Sequence, residues 1–138
     1  MRFFIPGGQC LILKKPLIYA WVADLFFTSR IESIVRRLDF DMALLENAPA
    51  PGSPTIVETV LAVQPAMIIV DMNHTAIPWQ SWVRALKEDP RTQRIPVIAF
   101  GSHKDIDAMK AAKQAGADQV LARSRFTSDI AGIIQTAL

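Results

Sequence analysis

The stretch Ala66-Met67-Ile68-Ile69-Val70-Asp71 decides the fold. Five apolar residues in a row, without the alternation of a half-exposed strand, are typical of a parallel strand covered by helices on both faces. Two similar runs occupy residues 17–23 and 95–100. Weaker strands are predicted over residues 40–45 and 119–122. The sequence therefore predicts five strands.

Segments with helical periodicity separate these strands, and each begins with a polar N-cap pattern or a proline in the first turn. In chain order the predicted start signals are Ser29 with Glu32, Ser53 with Pro54, Pro78, Ser102, and Thr127 or Ser128. The third helix should end before Pro90, because a residue preceding proline is pushed out of the helical region. Gly116 is expected to end the fourth helix as a left-handed cap.

Strands that alternate with helices predict the α/β class, specifically a flavodoxin-like, doubly wound parallel sheet with helices on both faces. For five units the natural strand order is 2-1-3-4-5. We expect one domain over residues 16–138. Residues 1–15 are expected to be an N-terminal extension, which is either disordered or an added edge strand from Cys10 to Leu13.

Composition excludes several classes of protein. The 138 residues are 51% hydrophobic, enough for one core, and the 15 basic and 13 acidic residues leave a net charge of only +2. Without a basic run, we expect no nucleic-acid partner. The single cysteine, Cys10, permits no intrachain disulfide. The longest apolar stretch, residues 17–27, is shorter than the roughly 20 residues that cross a bilayer and contains Asp24, so we expect a cytoplasmic protein without a membrane partner.

Polar residues follow the predicted strands at their carboxyl ends, where open parallel sheets bind ligands. Asp24 follows the first strand, Asp71 and Asn73 the third, Ser102 the fourth and Arg123 the fifth. Two carboxylates on adjacent central strands would form an oxygen-rich site suited to Mg²⁺. A cation from the last strand could then hold a bound anion.

Three segments resemble the receiver domains of bacterial response regulators of the chemotaxis-regulator type. They are residues 68–73 (IIVDMN), residues 91–100 (RTQRIPVIAF) and residues 115–118 (AGAD), within a similarity that runs from about Pro16 to the end. The resemblance implies that Asp71 is a phosphoacceptor whose phosphoryl group comes from a histidine kinase. It also implies that Asp24, Asp71 and Asn73 ligate Mg²⁺, and that Arg123 and Ser102 contact the phosphate.

Several positions depart from the family pattern. Ala23 stands where one of two acidic residues is usual, so Mg²⁺ is expected to bind weakly. Gly101 replaces a Ser or Thr, and Val120 replaces an aromatic switch residue. Arg123 and Ser124 replace a lysine followed by a cis-proline, and a non-proline cis peptide would cost about 2.5 to 4 kcal/mol, so a different loop geometry is expected. These departures are typical of an atypical receiver or pseudo-receiver.

Two functions follow from this reading, neither of them enzymatic. The first is a stand-alone receiver-like signalling domain of a two-component phosphorelay with Asp71 as phosphoacceptor. The second is a phosphorylation-independent pseudo-receiver, which presents its helix 4, strand 5 and helix 5 face to a signalling protein or to a second copy of itself. A weaker alternative, a flavin- or cobalamin-binding domain, conflicts with the position of His74, which lies one residue too late for the cobalamin motif Asp-x-His-x-x-Gly.

Structural roles compete with these assignments. Asp24 is equally well placed to cap the first helix, and the Arg123 side chain could be a solvated loop charge. His74 is more simply a loop residue than a metal ligand, because Asp71 and His74 alone do not form a metal site. Trp79 and Trp82 are most simply packing residues of the third helix.

Overall fold

Two short strands near the N-terminus, β1 (Arg2–Ile5) and β2 (Gln9–Ile12), pair antiparallel in a sheet of their own. The computed structural model describes residues 2–5, 9–12, 15–45 and 55–138, the first two ranges by their backbone alone. The alternative of an added edge strand from Cys10 to Leu13 was wrong in its pairing, because β2 pairs with β1 and not with the main sheet. Leu13 lies outside the described residues.

The main sheet contains five parallel strands. They are β3 (Leu17–Trp21), β4 (Asp41–Leu44), β5 (Met67–Asp71), β6 (Val97–Gly101) and β7 (Gln119–Ala122). Their spatial order is β4-β3-β5-β6-β7, which is 2-1-3-4-5 when counted within this sheet. The predicted fold class and strand order are confirmed.

Within the described ranges, six helices connect and cover these strands. They are α1 (Leu25–Arg37), α2 (Ile56–Val63), α3 (Trp79–Glu88), α4 (Ile106–Ala115), α5 (Arg123–Ser128) and α6 (Ile130–Ala137). Alternate residues of β5 point to opposite faces: Ile68 and Val70 pack in the layer of α2, α3 and α4, whereas Met67 and Ile69 pack in the layer of α1, α5 and α6. No helix within the described ranges is long and apolar enough to span a membrane.

Two predicted helix starts, at Ser29 and Ser102, were wrong, and in each case an aspartate is the N-cap. Asp24 caps α1, so Ser29 lies inside the helix, and Glu32 accepts a hydrogen bond from Arg36 instead of closing a capping box. Thr55 caps α2, whereas the predicted Ser53 and Pro54 lie outside the described residues. Asp105 caps α4, three residues after Ser102.

The segment after β7 also differs from the prediction. Helix α5 begins at Arg123, directly after the strand, and Asp129 caps the separate helix α6, so neither Thr127 nor Ser128 starts a helix. Two predicted ends are confirmed: α3 stops at Glu88, before Pro90, and Gly116 ends α4 with a φ of 104°.

A partly buried lysine joins the end of α3 to the amino ends of β6 and β7. Lys87 Nζ donates to the carbonyl oxygens of Gln93 and Ile95 at 3.0 and 2.8 Å and to Asp118 Oδ2 at 2.7 Å. Asp118 Oδ2 also accepts from the backbone N–H of Val97 at 2.8 Å. We call Lys87 and Asp118 the amino-end ion pair.

Candidate functional site

Asp71 lies at the carboxyl end of the central strand β5, with β3 on one side and β6 on the other. All five residues of β5 are buried, and Asp71 is only 6% exposed. The register places it opposite Phe100 of β6. A carboxylate in this setting loses most of its hydration, so it needs partners from the protein or from a ligand.

One oxygen of Asp71 is held by the protein. The backbone N–H of Asn73 donates to Asp71 Oδ1 at 2.9 Å, and the backbone N–H of His74 donates to the Asp71 carbonyl oxygen at 3.0 Å. These two bonds fold the chain into a tight turn directly after the strand. Oδ2 accepts no hydrogen bond from the described residues, so this oxygen is the one left for a reacting group.

Arg123 brings the positive charge to this carboxylate. As the first residue of α5, it extends its side chain back toward β5, and Nη2 lies 3.5 Å from Asp71 Oδ1. The contact is long, and the Arg123 side chain is 45% exposed. The guanidinium is therefore near the carboxylate but still open to solvent, where it can turn toward an incoming anion.

Two phenylalanines form a platform beside Arg123. The guanidinium carbon lies 5.8 Å from the ring centre of Phe27 and 5.9 Å from that of Phe100, within cation–π range. The Phe100 ring also stacks on Phe126, with ring centres 4.6 Å apart. We call Phe27 and Phe100 the aromatic platform. A planar guanidinium suits it better than an ammonium does, which gives a physical reason for arginine at this position.

The aromatic platform was missed from the sequence. Phe100 could have been found, because the predicted strand order places the end of β6 beside Asp71. Phe27 lies three residues after Asp24, and only the start of α1 at Leu25 turns it toward β6. Its role depends on a helix boundary that was assigned wrongly.

Asp24 performs the structural role that competed with metal binding. Its Oδ1 accepts from the backbone N–H of Phe27 at 3.1 Å and caps α1. The residue is exposed, and the cap uses only one of its oxygens. Ala23 supplies no second carboxylate, and the part of the chain that the structure describes contains no group of three or more acidic, histidine or cysteine side chains that could hold a metal.

Ser102 is engaged in its own loop. Its Oγ accepts from the backbone N–H of Lys104 at 3.3 Å, and no hydrogen bond within the described ranges joins it to Asp71 or Arg123. Gly101, which ends β6, lies closer to the site: a Cβ there would be 3.0 Å from Met72 Cε and 3.6 Å from Asn73 Oδ1. The structure thus brings Asp71, Asn73 and Arg123 together, whereas the contacts of Ser102 are local.

The histidine and tryptophans have the packing environments expected of structural residues. His74 is 3% exposed, and its Nδ1 accepts from the backbone N–H of Ala76 at 3.3 Å. Trp79 and Trp82 pack against the core layer beneath α3, and Trp82 meets Trp21 edge to face with ring centres 5.5 Å apart.

Comparison with known proteins finds similar folds among solved structures but no match by sequence. No family profile and no curated protein matches the chain. Among solved structures, a chemotaxis response regulator of Vibrio cholerae superposes with a TM-score of 0.70 at 12% identity, over 91% of this chain and 100% of that one.

Receiver domains of two histidine kinases are equally similar. The one from Syntrophus aciditrophicus gives a TM-score of 0.71 at 18% identity, over 89% of either chain. The one from Pseudomonas aeruginosa, which has a magnesium ion in its active-site cleft, gives 0.68 at 17% identity over 90% of this chain and 97% of that one. The chain therefore has the fold of a response-regulator receiver domain.

Proposed function

We propose that this chain is a receiver-type signalling domain of a two-component system, in which Asp71 accepts a phosphoryl group. The observation that carries the proposal is the pairing of a nearly buried carboxylate with a half-exposed arginine at the carboxyl end of the central strand. Asp71 Oδ1 has partners within the protein, whereas Oδ2 has none among the described residues and is not one of the fully buried unpartnered atoms. Solvent, or a reacting group in its place, can therefore reach Oδ2.

The chemistry is a transfer between two side chains. Asp71 Oδ2 attacks the phosphorus of a phosphohistidine on a partner kinase, a P–O bond forms, and the P–N bond breaks. The leaving imidazole nitrogen keeps the bonding pair and is protonated from solvent. Because a phosphorylated side chain carries about −1.5 to −2 charges at neutral pH, Arg123 would compensate the new charge by turning from Oδ1 to the phosphoryl oxygens.

Magnesium is proposed as a weakly bound cofactor. The donors are the Asp71 carboxylate, the free oxygen of Asp24 and the backbone carbonyl of Asn73, a set that fits an ion which accepts one or two carboxylates and keeps several waters. The ion would neutralise charge on the transferring phosphoryl group. Binding is weak because Ala23 adds no carboxylate and because the Arg123 guanidinium already lies 3.5 Å from Asp71 Oδ1.

Chemical phosphorylation tests this proposal. Purified protein incubated with acetyl phosphate and Mg²⁺ should gain the mass of one phosphoryl group, and hydroxylamine should remove it, as expected for an acyl phosphate. Asp71→Asn should show no gain, whereas Asp118→Asn, which changes an aspartate at the opposite end of the sheet, should be labelled like the natural protein. Equal labelling of the Asp71→Asn variant would refute the proposal.

A second candidate function is the phosphorylation-independent pseudo-receiver. The observations that favour it are the missing side chain at Gly101 and the packing of Val120, which lies half-buried in the layer of α2, α3 and α4 instead of acting as an aromatic switch. In this case the surface of α4, β7 and α6 would bind a signalling protein or a second copy of the chain, in the cytoplasm. Ile106, which is 61% exposed at the start of α4, would contribute to such a surface.

The two candidates differ in what Asp71 controls. A pseudo-receiver should keep the same oligomeric state and the same partner affinity with Asp71→Asn and with or without acetyl phosphate. A phosphorylated receiver should change one of them on phosphorylation. Sedimentation of the natural protein and of Asp71→Asn, each with and without acetyl phosphate, separates these outcomes.

A further inference from the structure

A cavity of about 530 Å³ opens beside the loop between β5 and α3. The loop contributes Met72, His74 and Ile77 to its wall, and the first turns of α3 contribute Trp79 and Arg84. Neither Asp71 nor Arg123 lines it. The cavity is therefore distinct from the site proposed for phosphorylation.

The start of α3 faces this cavity without a capping group. Its N-cap residue is Pro78, which has no side-chain acceptor, and no acidic residue lies in the first turn. The backbone N–H groups of Gln80 and Ser81 therefore have no side-chain acceptor from the cap, while the helix dipole places partial positive charge there. Such an end favours an anion, although by itself it does not define a site.

His74 supplies the independent observation. Its Nδ1 accepts from the backbone N–H of Ala76, so the neutral imidazole must carry its proton on Nε2. This Nε2 is buried and has no hydrogen-bond partner among the residues that the structure describes. A buried donor without an acceptor is costly, and such groups call for an explanation such as a bound ligand. His74 lines the cavity, and an acceptor seated there would supply the missing bond.

Arg84 adds a full positive charge to the same wall. It is exposed, and it forms no ion pair within residues 15–45 and 55–138. The wall also includes apolar side chains, those of Ile77, Pro78 and half-buried Trp79. A cavity of about 300–1,000 Å³ is the usual size for an organic ligand, larger than an inorganic ion needs.

We propose that this cavity binds a small organic phosphate ester. The phosphate would accept hydrogen bonds from the first-turn N–H groups of α3, from His74 Nε2 and from Arg84, while the organic group packs on Trp79. The site is independent of Asp71 phosphorylation. A ligand held here would touch the turn that follows Asp71, because His74 also donates its backbone N–H to the Asp71 carbonyl oxygen.

Titration with phenyl phosphate tests the proposal on the whole chain. Amide resonances of Gln80 and Ser81 should shift in a saturable manner, and the fluorescence of Trp79 should change, whereas phenol, the uncharged counterpart, should bind far more weakly. Arg84→Gln should weaken binding about tenfold, the effect of losing one charge-assisted hydrogen bond. Arg94→Gln, which removes another exposed and unpaired arginine away from the cavity, should bind like the natural protein.

One substitution at His74 separates the roles of its two ring nitrogens. His74→Asn keeps an acceptor near Nδ1 for the Ala76 N–H but removes the Nε2 donor, so it should fold and bind about tenfold more weakly. Asp71→Asn should leave phenyl phosphate binding unchanged, which distinguishes this site from the proposed phosphorylation site. No saturable shift at Gln80 and Ser81 with millimolar phenyl phosphate, or equal affinity in Arg84→Gln, would overturn the proposal.

Discussion

The molecule has two ion pairs at opposite ends of the same sheet, and they are built differently. In the amino-end ion pair, the Lys87 side chain is 13% exposed. Its Nζ lies 2.7 Å from Asp118 Oδ2 and donates to two further carbonyl oxygens. At the carboxyl end, Arg123 Nη2 lies 3.5 Å from Asp71 Oδ1, and the Arg123 guanidinium donates no other hydrogen bond to the described residues.

Lys87 and Asp118 form a structural contact, whereas Asp71 and Arg123 form a site that is still open to a ligand. Hydrogen bonds to a buried charge stabilise a fold when all donors and acceptors are matched, as at Lys87. A long contact between a nearly buried carboxylate and a half-exposed guanidinium contributes little stability, because solvent screens the cation. The pair of Asp71 and Arg123 contributes less stability, but its free carboxylate oxygen and its guanidinium remain available for chemistry.

The largest effect is expected from removing the lysine of the amino-end ion pair. Lys87→Met leaves the carbonyl oxygens of Gln93 and Ile95 without their donor and should lower the free energy of unfolding by about 2–3 kcal/mol. Urea denaturation measures the loss. Lys110→Met, which removes an exposed lysine of α4, is the matched control and should change stability by less than about 0.5 kcal/mol. Equal losses in Lys87→Met and Lys110→Met would show that Lys87 contributes no more to stability than an exposed lysine does.

A smaller loss is expected from adding a side chain at Gly101, beside the carboxyl-end pair. The new Cβ of Gly101→Ala would lie 3.0 Å from Met72 Cε and 3.2 Å from Met72 Cβ, closer than ordinary contact. Overpacking should cost about 1 kcal/mol in unfolding free energy. In a Met72→Ala background the same change should cost about half as much, because the Cε contact is gone. An unchanged cost would show that Met72 is not the obstacle.

The aromatic platform is expected to affect rate more than stability. Phe27→Leu removes one ring beside Arg123, and Arg123→Lys removes the planar cation. Each should slow acetyl phosphate labelling roughly two- to fivefold, the scale of a cation–π contact worth about 0.5–1 kcal/mol. The double variant should be no slower than Arg123→Lys alone. Additive effects would mean that Phe27 acts independently of Arg123.

The smallest effect on stability is expected at Asp71 itself. Asp71→Asn keeps an acceptor for the Asn73 N–H and removes only a long, half-solvated ion pair, so the unfolding free energy should stay within about 0.5 kcal/mol of the natural value. The urea midpoint checks it. A loss as large as that of Lys87→Met would identify Asp71 as a second structural anchor.

The strands of the main sheet were predictable from the sequence because each central strand has its own continuous run of apolar residues. Residues 66–70 and 97–100 are continuously apolar, and burial on both faces demands such a run. Helix starts were less predictable, because Ser, Thr and Asp all cap helices. The chain uses Asp24 and Asp105, although Ser29, five residues after Asp24, and Ser102, three residues before Asp105, match the same pattern.

The candidate site was predictable in its strand ends but not in its contacts. Asp71, Asn73 and Arg123 were found because parallel strands place their carboxyl ends together. The platform of Phe27 and Phe100 and the amino-end ion pair join residues far apart in sequence, and side-chain direction decides these contacts. The intrinsic preferences of single residues carry no such information.

Beryllofluoride, a stable mimic of the phosphoryl group, tests the central claim most directly. With Mg²⁺ present, its addition should shift the backbone resonances of Asp71, Asn73 and Arg123, while those of Lys87 and Asp118 at the opposite end stay in place. Asp71→Asn should show no response. The absence of any shift at millimolar Mg²⁺, or the same shifts in Asp71→Asn, would contradict phosphoryl acceptance at Asp71.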